Sequence, residues 1–173
     1  MRLVVGLGNI GARYARTRHN AGFMAVDALA RALDAPKWKE KPKYLYTRIG
    51  DTIMAKPSTL MNLSGEAVKS LCSAYKVACD DIWVVHDDLD LETGRVKTKI
   101  GGGSAGHNGL KSIDAAIGPG YRRVRIGISH PRGLGLPVEV SSYVLGRFSA
   151  DEELLISQAV ERVVELLSPM DEG

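Results

Sequence analysis

The sequence predicts an α/β fold: a single-domain sandwich with a mixed, mostly parallel central sheet flanked by helices. Strand-like and helix-like patterns alternate along the chain, which is how such sandwiches are assembled. Two apolar runs, residues 3–7 and 82–86, have strand length and read as buried strands. Across 173 residues there is no internal repeat, low-complexity tract or linker, so one domain spanning residues 1–173 with a real core is expected.

Each element has its own local reason. Residues 3–7 form an apolar run that meets glycine at Gly8. Phe23, Val26, Leu29 and Leu33 recur at helical spacing, with Asn20 placed to cap that helix. Residues 43–56 read as two strands turning at Gly50-Asp51. Val68, Leu71, Cys72 and Tyr75 repeat the helical pattern. Residues 95–99 and 122–128 alternate polar and apolar, so each is predicted to show one face to solvent, with Arg123 and Arg125 outward. Between them Leu110, Ile113 and Ile117 mark a short helix. Ser149 followed by Glu152 has the form of a capping box opening a last helix through Ile156, Val160, Val163 and Leu167.

Composition narrows the class. A hydrophobic fraction of 45% and a charged fraction of 25% are those of an ordinary globular protein. No apolar run is long enough for a bilayer, and the N-terminus enters a strand-like run without a signal-peptide layout, so a cytoplasmic location is expected. Cys72 and Cys79 have no zinc-site spacing; Cys72, on an apolar helix face, is expected as a buried thiol rather than half of a disulfide. The net charge of +3 is compatible with RNA, and the Arg and Lys residues crowd positions 95–132.

Several motifs carry chemistry. Gly6-x-Gly8-x-x-Gly11 matches the dinucleotide fingerprint on paper, but residues 12–19 separate it from the helix whose N-terminus would hold a pyrophosphate. The glycines equally suit a tight strand exit, which leaves Asn9 unexplained. His19 directly precedes a helix, whose positive end disfavours imidazolium and favours the neutral form a general base needs. It reads equally as a surface or capping histidine. Asp87 ends a buried strand, where open α/β sheets place their ligands, and a carboxylate there can orient a histidine. Asp88, Asp90 and Glu92 read as a solvated turn, with a metal site as the alternative. The glycine-rich segment 101–109 lets backbone approach a ligand but lacks the Lys-Ser/Thr ending of a P-loop. Asn9, Asn62 and Asn108 each sit beside glycine or serine in a loop, as turn residues or as presented amides.

Taken in order, these stretches resemble the bacterial peptidyl-tRNA hydrolase family over nearly the whole chain. The blocks are Gly6-Leu7-Gly8-Asn9 with Tyr14 and Thr17-Arg18-His19-Asn20, then Lys56-Pro57 through Met61-Asn62 to Ser64-Gly65. His86-Asp87-Asp88-Leu89-Asp90-Leu91, residues 101–110, Arg123 to Ile128 and Tyr143-Val144-Leu145-Gly146 follow. The chain departs from the family pattern at Ile10, Leu60, Asp88 and Ala105, where the family usually has proline, an aromatic, glutamate and glycine.

The resemblance implies hydrolysis of the ester joining a peptide to the 3′ ribose of tRNA. In that reading His19 activates water, Asp87 orients His19, and Asn9, Asn62 and Asn108 position substrate and help stabilise the oxyanion. Tyr14, Met61, Asn62 and Asn108 bind substrate, and Lys99 and Arg125 clamp a phosphate of the acceptor stem. Two ordinary solvated strand faces are the alternative for that basic pair. No cofactor and no metal are implied, and the partner is peptidyl-tRNA through its acceptor stem and 3′ end. No membrane and no obligate protein partner are implied, so a monomer is expected. An RNA-binding module that has lost catalysis and a dinucleotide-dependent enzyme are the competing readings.

Overall fold

A computed structural model describes residues 1–169. Its centre is a seven-stranded mixed sheet. In chain order the strands are β1 (Arg2–Gly6), β2 (Lys39–Glu40), β3 (Tyr44–Ile49), β4 (Thr52–Pro57), β5 (Ile82–Asp88), β6 (Val96–Ile100) and β7 (Arg122–Gly127). Across the sheet the order is β2-β3-β4-β1-β5-β7-β6. The four inner strands β4, β1, β5 and β7 run parallel, and the antiparallel pairings lie towards the edges. The helices are α1 (Ala21–Ala32), α2 (Ser64–Tyr75), α3 (Asn108–Ile117), α4 (Val140–Val144) and α5 (Ala150–Leu167).

β1 and the first half of β5 are apolar on both faces because both are covered. Val4, Val85, Val124 and Ile126 pack against α1 and α5 through Ala25, Leu29, Ala159 and Val163. Leu3, Val5, Ile53 and Val84 point the other way, into a second core with Leu71 of α2 and Leu110 and Ile113 of α3. The period of two along each strand sorts neighbours into separate cores. From β1 the chain passes to one side of the sheet and returns to the other as β5. The carboxyl ends of β1 and β5 therefore flank a topological switch point, where a crevice opens.

The glycines after β1 serve packing. A side chain at Gly6 would strike the backbone of Gly22 and the side chain of Val26, and one at Gly22 would strike the carbonyl of Val85. They let α1 lie directly on β1 and β5. The chain first makes two 3-10 turns, Ala12–Tyr14 and Arg18–Asn20, so the glycine turn does not feed a helix as a dinucleotide site requires.

The α/β class and the predicted helices and strands are present, with bounds shifted by one or two residues. The capping box is also present: Ser149 Oγ accepts from the Glu152 amide at 3.2 Å, and Glu152 Oε1 accepts from the Ser149 amide at 2.9 Å. The short strand β2 and short helix α4 have too few residues to show a period in the sequence. Cys72 is only half-buried, and both thiols are free. Asn20 occupies the N-cap position of α1, but its side chain does not cap. It instead clamps Asn9, accepting from the Asn9 amide at 2.8 Å and donating to the Asn9 carbonyl at 3.0 Å.

Arg123 is the largest correction. Alternation predicts it in solvent, yet it is 2% exposed. Its guanidinium donates to the carbonyls of Gly103 and Gly102 at 2.8 and 3.0 Å and to Asp114 Oδ1 at 3.1 Å, and it lies over the Tyr121 ring. The glycine-rich segment exposes carbonyls that need a buried donor, and Arg123 supplies it. Arg123→Met takes the donors from both carbonyls and the cation from Asp114, which keeps the Tyr121 hydroxyl, so we expect a loss of about 3 kcal/mol in urea unfolding, in the range for breaking a buried ion pair. A loss below about 1 kcal/mol would show that Arg123 does not anchor the loop. In the same segment Ala105 holds φ at +48°, a left-handed conformation that favours the glycine usual in the resembled family. Ala105→Gly should raise stability by about 1 kcal/mol, and a fall in the urea midpoint would contradict that strain.

Candidate active site

Asp87 is the second-last residue of β5 and is 3% exposed. Its two carboxylate oxygens face different histidines. Oδ2 meets His19 Nδ1 at 2.9 Å, and Oδ1 meets His107 Nε2 at 2.9 Å. The His19 and His107 rings lie 5.0 Å apart. His19 comes from the second 3-10 turn, whose placement follows from α1 packing on Gly6. His107 comes from the N-cap of α3.

The proton positions follow from the partners. His107 Nδ1 accepts from the amides of Gly109 and Leu110 at 3.1 and 3.4 Å, doing the work of an N-cap. Its proton is therefore on Nε2, which donates to Asp87. That tautomer also withholds the Nε2 lone pair from any metal, although His19, Asp87 and His107 lie close enough to group around an ion. Burial alone would raise the Asp87 carboxyl, but the two imidazoles hold it well below the usual carboxylate range. Asp87 is thus an anion and an acceptor only. His19 Nδ1 donates to it, leaving His19 Nε2 as the basic nitrogen.

For His19 the balance differs from the sequence expectation. Burial pushes the imidazole down, but the charge of Asp87 and its hydrogen bond outweigh burial and raise it above the ordinary 6.5. The adjacent carboxylate, at hydrogen-bond distance, overrides the helix end. His86 faces the opposite way. Burial and the nearby His107 ring drive it down to about 4. Its Nδ1 donates to the Asp87 carbonyl at 2.7 Å, and its Nε2 has no partner among the described residues.

His19, Asp87, His107 and Asn108 line one cavity of about 360 Å³, together with His86 and His130. Lys99 and Arg125 line a smaller one of about 80 Å³, which shares His86, Asp88 and Ser104 with the first. The other site candidates are dispersed. Asn9 lines a separate hollow of about 200 Å³ with Asn20, Asp27 and Lys56. Its backbone is nevertheless tied to the residue after His19. Met61 is buried in the Met61–Leu63 turn, with its sulfur against Gly109, while Asn62 beside it is exposed. Tyr14 is half-buried at the end of its own turn, under the Arg13 guanidinium. Asp88 is no solvated turn residue. It is half-buried and receives Arg125 Nε at 2.8 Å.

The sequence assigns no role to His107 or His86, and it points to a helix cap for Asn20 and a solvated turn for Asp88 where the structure has a clamp on Asn9 and an ion pair with Arg125. A histidine directly before a helix was the available signal for His107, and it was read only for His19.

A family model for peptidyl-tRNA hydrolase matches residues 3–172. A peptidyl-tRNA hydrolase of Campylobacter lari is 48% identical over 168 residues, 96% of this chain and 89% of that one. One from Rickettsia peacockii is 45% identical over 169 residues, 94% of this chain and 91% of that one. The crystal structure of the peptidyl-tRNA hydrolase from Acinetobacter baumannii superposes with a TM-score of 0.89 at 38% identity, covering 95% of this chain and 85% of that one. With the match running almost from end to end at these identities, the chain belongs to the peptidyl-tRNA hydrolase family.

Proposed function

We infer that the protein hydrolyses the ester between a peptide and the 3′ ribose of tRNA, with His19 as general base. The observation that carries this is a histidine on the wall of a cavity whose other ring nitrogen is tied to a buried, ionised Asp87. His19 Nε2 takes a proton from water as the water oxygen attacks the ester carbonyl carbon. Asp87 holds the Nδ1 proton in place and stabilises the imidazolium. The oxyanion that forms is met by amide donors, for which Asn108 on the cavity wall and Asn9 and Asn62 on neighbouring turns are the candidates. Collapse breaks the bond to the ribose oxygen, which leaves with the proton from His19. Free peptide and free tRNA result, and no electrons change hands.

The remaining assignments belong to the same reading. Tyr14 and Met61 line the substrate site. Lys99 and Arg125 grip a phosphate of the acceptor stem, supported by the small cavity they share beside the reaction site. In the same reading the enzyme acts as a monomer in the cytoplasm. Among the described residues no helix is long and apolar enough to cross a membrane.

The reactive form of His19 is neutral, and its pKa is raised, so kcat/KM should climb with pH, inflect above 6.5 and level off. Asp87→Asn removes the charge that lifts His19, so the inflection should move down and kcat should fall more than KM rises. His19→Ala should lose roughly 100-fold or more. Near wild-type turnover by His19→Ala on peptidyl-tRNA would end the general-base reading. Asn108→Asp keeps the size but removes the donors, so activity should drop at unchanged Tm. Full activity in that variant would reduce Asn108 to the first residue of a helix.

A further inference from the structure

Strand β5 divides its last three side chains between the two faces of the sheet. Asp87 turns to the side of His19. His86 and Asp88 turn to the other, where β7 and β6 bring Arg125, Arg123, Lys97 and Lys99 alongside. His86 pairs with Arg125 in register, Lys97 pairs with Arg125, and Lys99 pairs with Arg123. Arg123 is spent on the glycine-rich loop. Arg125 is different, because only its Nε is engaged among the described residues, by Asp88 Oδ2 at 2.8 Å.

Asp88 is itself fixed. Its other oxygen accepts from the Asp90 amide at 2.8 Å, so the carboxylate cannot swing without breaking the turn after β5. The pair is mostly shielded, the side chains being 10% and 22% exposed, so water screens it little. A guanidinium held through Nε keeps its plane and leaves both terminal nitrogens free as a fork. A fork in fixed orientation is what bidentate recognition of a phosphate requires.

Resting on the phosphate-clamp reading of Lys99 and Arg125, we propose that Asp88 is a positioning residue for tRNA, which locks the Arg125 guanidinium so that its free edge meets a backbone phosphate. The arrangement has a cost that makes it testable. Asp88 is an anion beside a site for an anion, so simple electrostatics says that removing its charge should tighten binding. Positioning says that removing it should loosen binding, because a freed arginine must be ordered again each time substrate arrives.

The experiment uses the full chain with two substrates, complete peptidyl-tRNA and a peptide ester on a terminal nucleotide. Arg125→Ala should raise KM for peptidyl-tRNA roughly tenfold and flatten the log–log salt dependence by about one unit. Asp88→Asn should raise the same KM about fivefold, with kcat unchanged. On the short substrate its kcat and pH inflection should match wild type, which a general disturbance of Asp87 and His19 would not allow. The double variant should be no worse than Arg125→Ala alone, since both remove one device. Asp88→Glu, which keeps the carboxylate, should fall closer to wild type than Asp88→Asn and keeps the test usable should asparagine unsettle the turn. A lower KM in Asp88→Asn, or additive effects in the double variant, would overturn the positioning role and leave the clamp standing. If Arg125→Ala keeps wild-type KM and salt slope, the clamp reading fails and this inference fails with it.

Discussion

One buried carboxylate organises this molecule. Asp87 lies in the interior at the end of a central strand, where an unpaired charge is unaffordable. It is tolerated because His19 and His107 each give it a hydrogen bond. The same two bonds fix where the turn at Arg18–Asn20 and the start of α3 must sit, since each must deliver a ring nitrogen to within 2.9 Å of one group. The requirement for charge satisfaction is thus also the requirement that assembles the site. Chemistry and stability share the same atoms here, and a substitution at Asp87 reports on both.

Around that centre the sheet sorts tasks by face. A strand has only two sides, and adjacent residues cannot share one. Asp87 therefore works with His19, while its neighbours His86 and Asp88 belong to the basic face of β7 and β6. The reaction site and the proposed grip on nucleic acid stand next to each other but answer to different side chains. Three elements complete the first of these: α1 through its glycine contact with β1, α3 through the His107 cap, and β5 itself.

Most of the fold was legible in the sequence, because the long elements have periods that survive burial. The continuous apolar runs of β1 and β5 and the helical spacing of Val68 and Leu71 arise from the same packing that the structure displays. What stayed hidden depends on partners distant in the chain. Arg123 alternates like a surface residue, and nothing near it says that carbonyls of a glycine-rich loop need its donors. Asn20 stands where a cap belongs and spends its amide on Asn9 instead. For His19 a local rule, the helix end, pointed to a lowered pKa, and a carboxylate 68 positions away reversed the sign. Of the candidate site residues, His19 and Asp87 stood out through their positions at element ends. The second imidazole on Asp87 did not, because its role exists only once α3 has packed.

The turn that carries His19 is held from the far end of the chain. The Arg18 amide donates to the Gly146 carbonyl, its guanidinium reaches the Tyr143 carbonyl and Glu152, and Thr17 bridges to Arg147. Glu152 is also the residue that closes the capping box of α5. The proposed general base, near the beginning of the sequence, therefore gains its last braces after about 150 residues have been made and have left the ribosome. A chain under synthesis is itself a peptide esterified to tRNA, the very bond this family is named for cleaving. An enzyme built in this order lacks a finished site for most of the time that it is such a molecule itself.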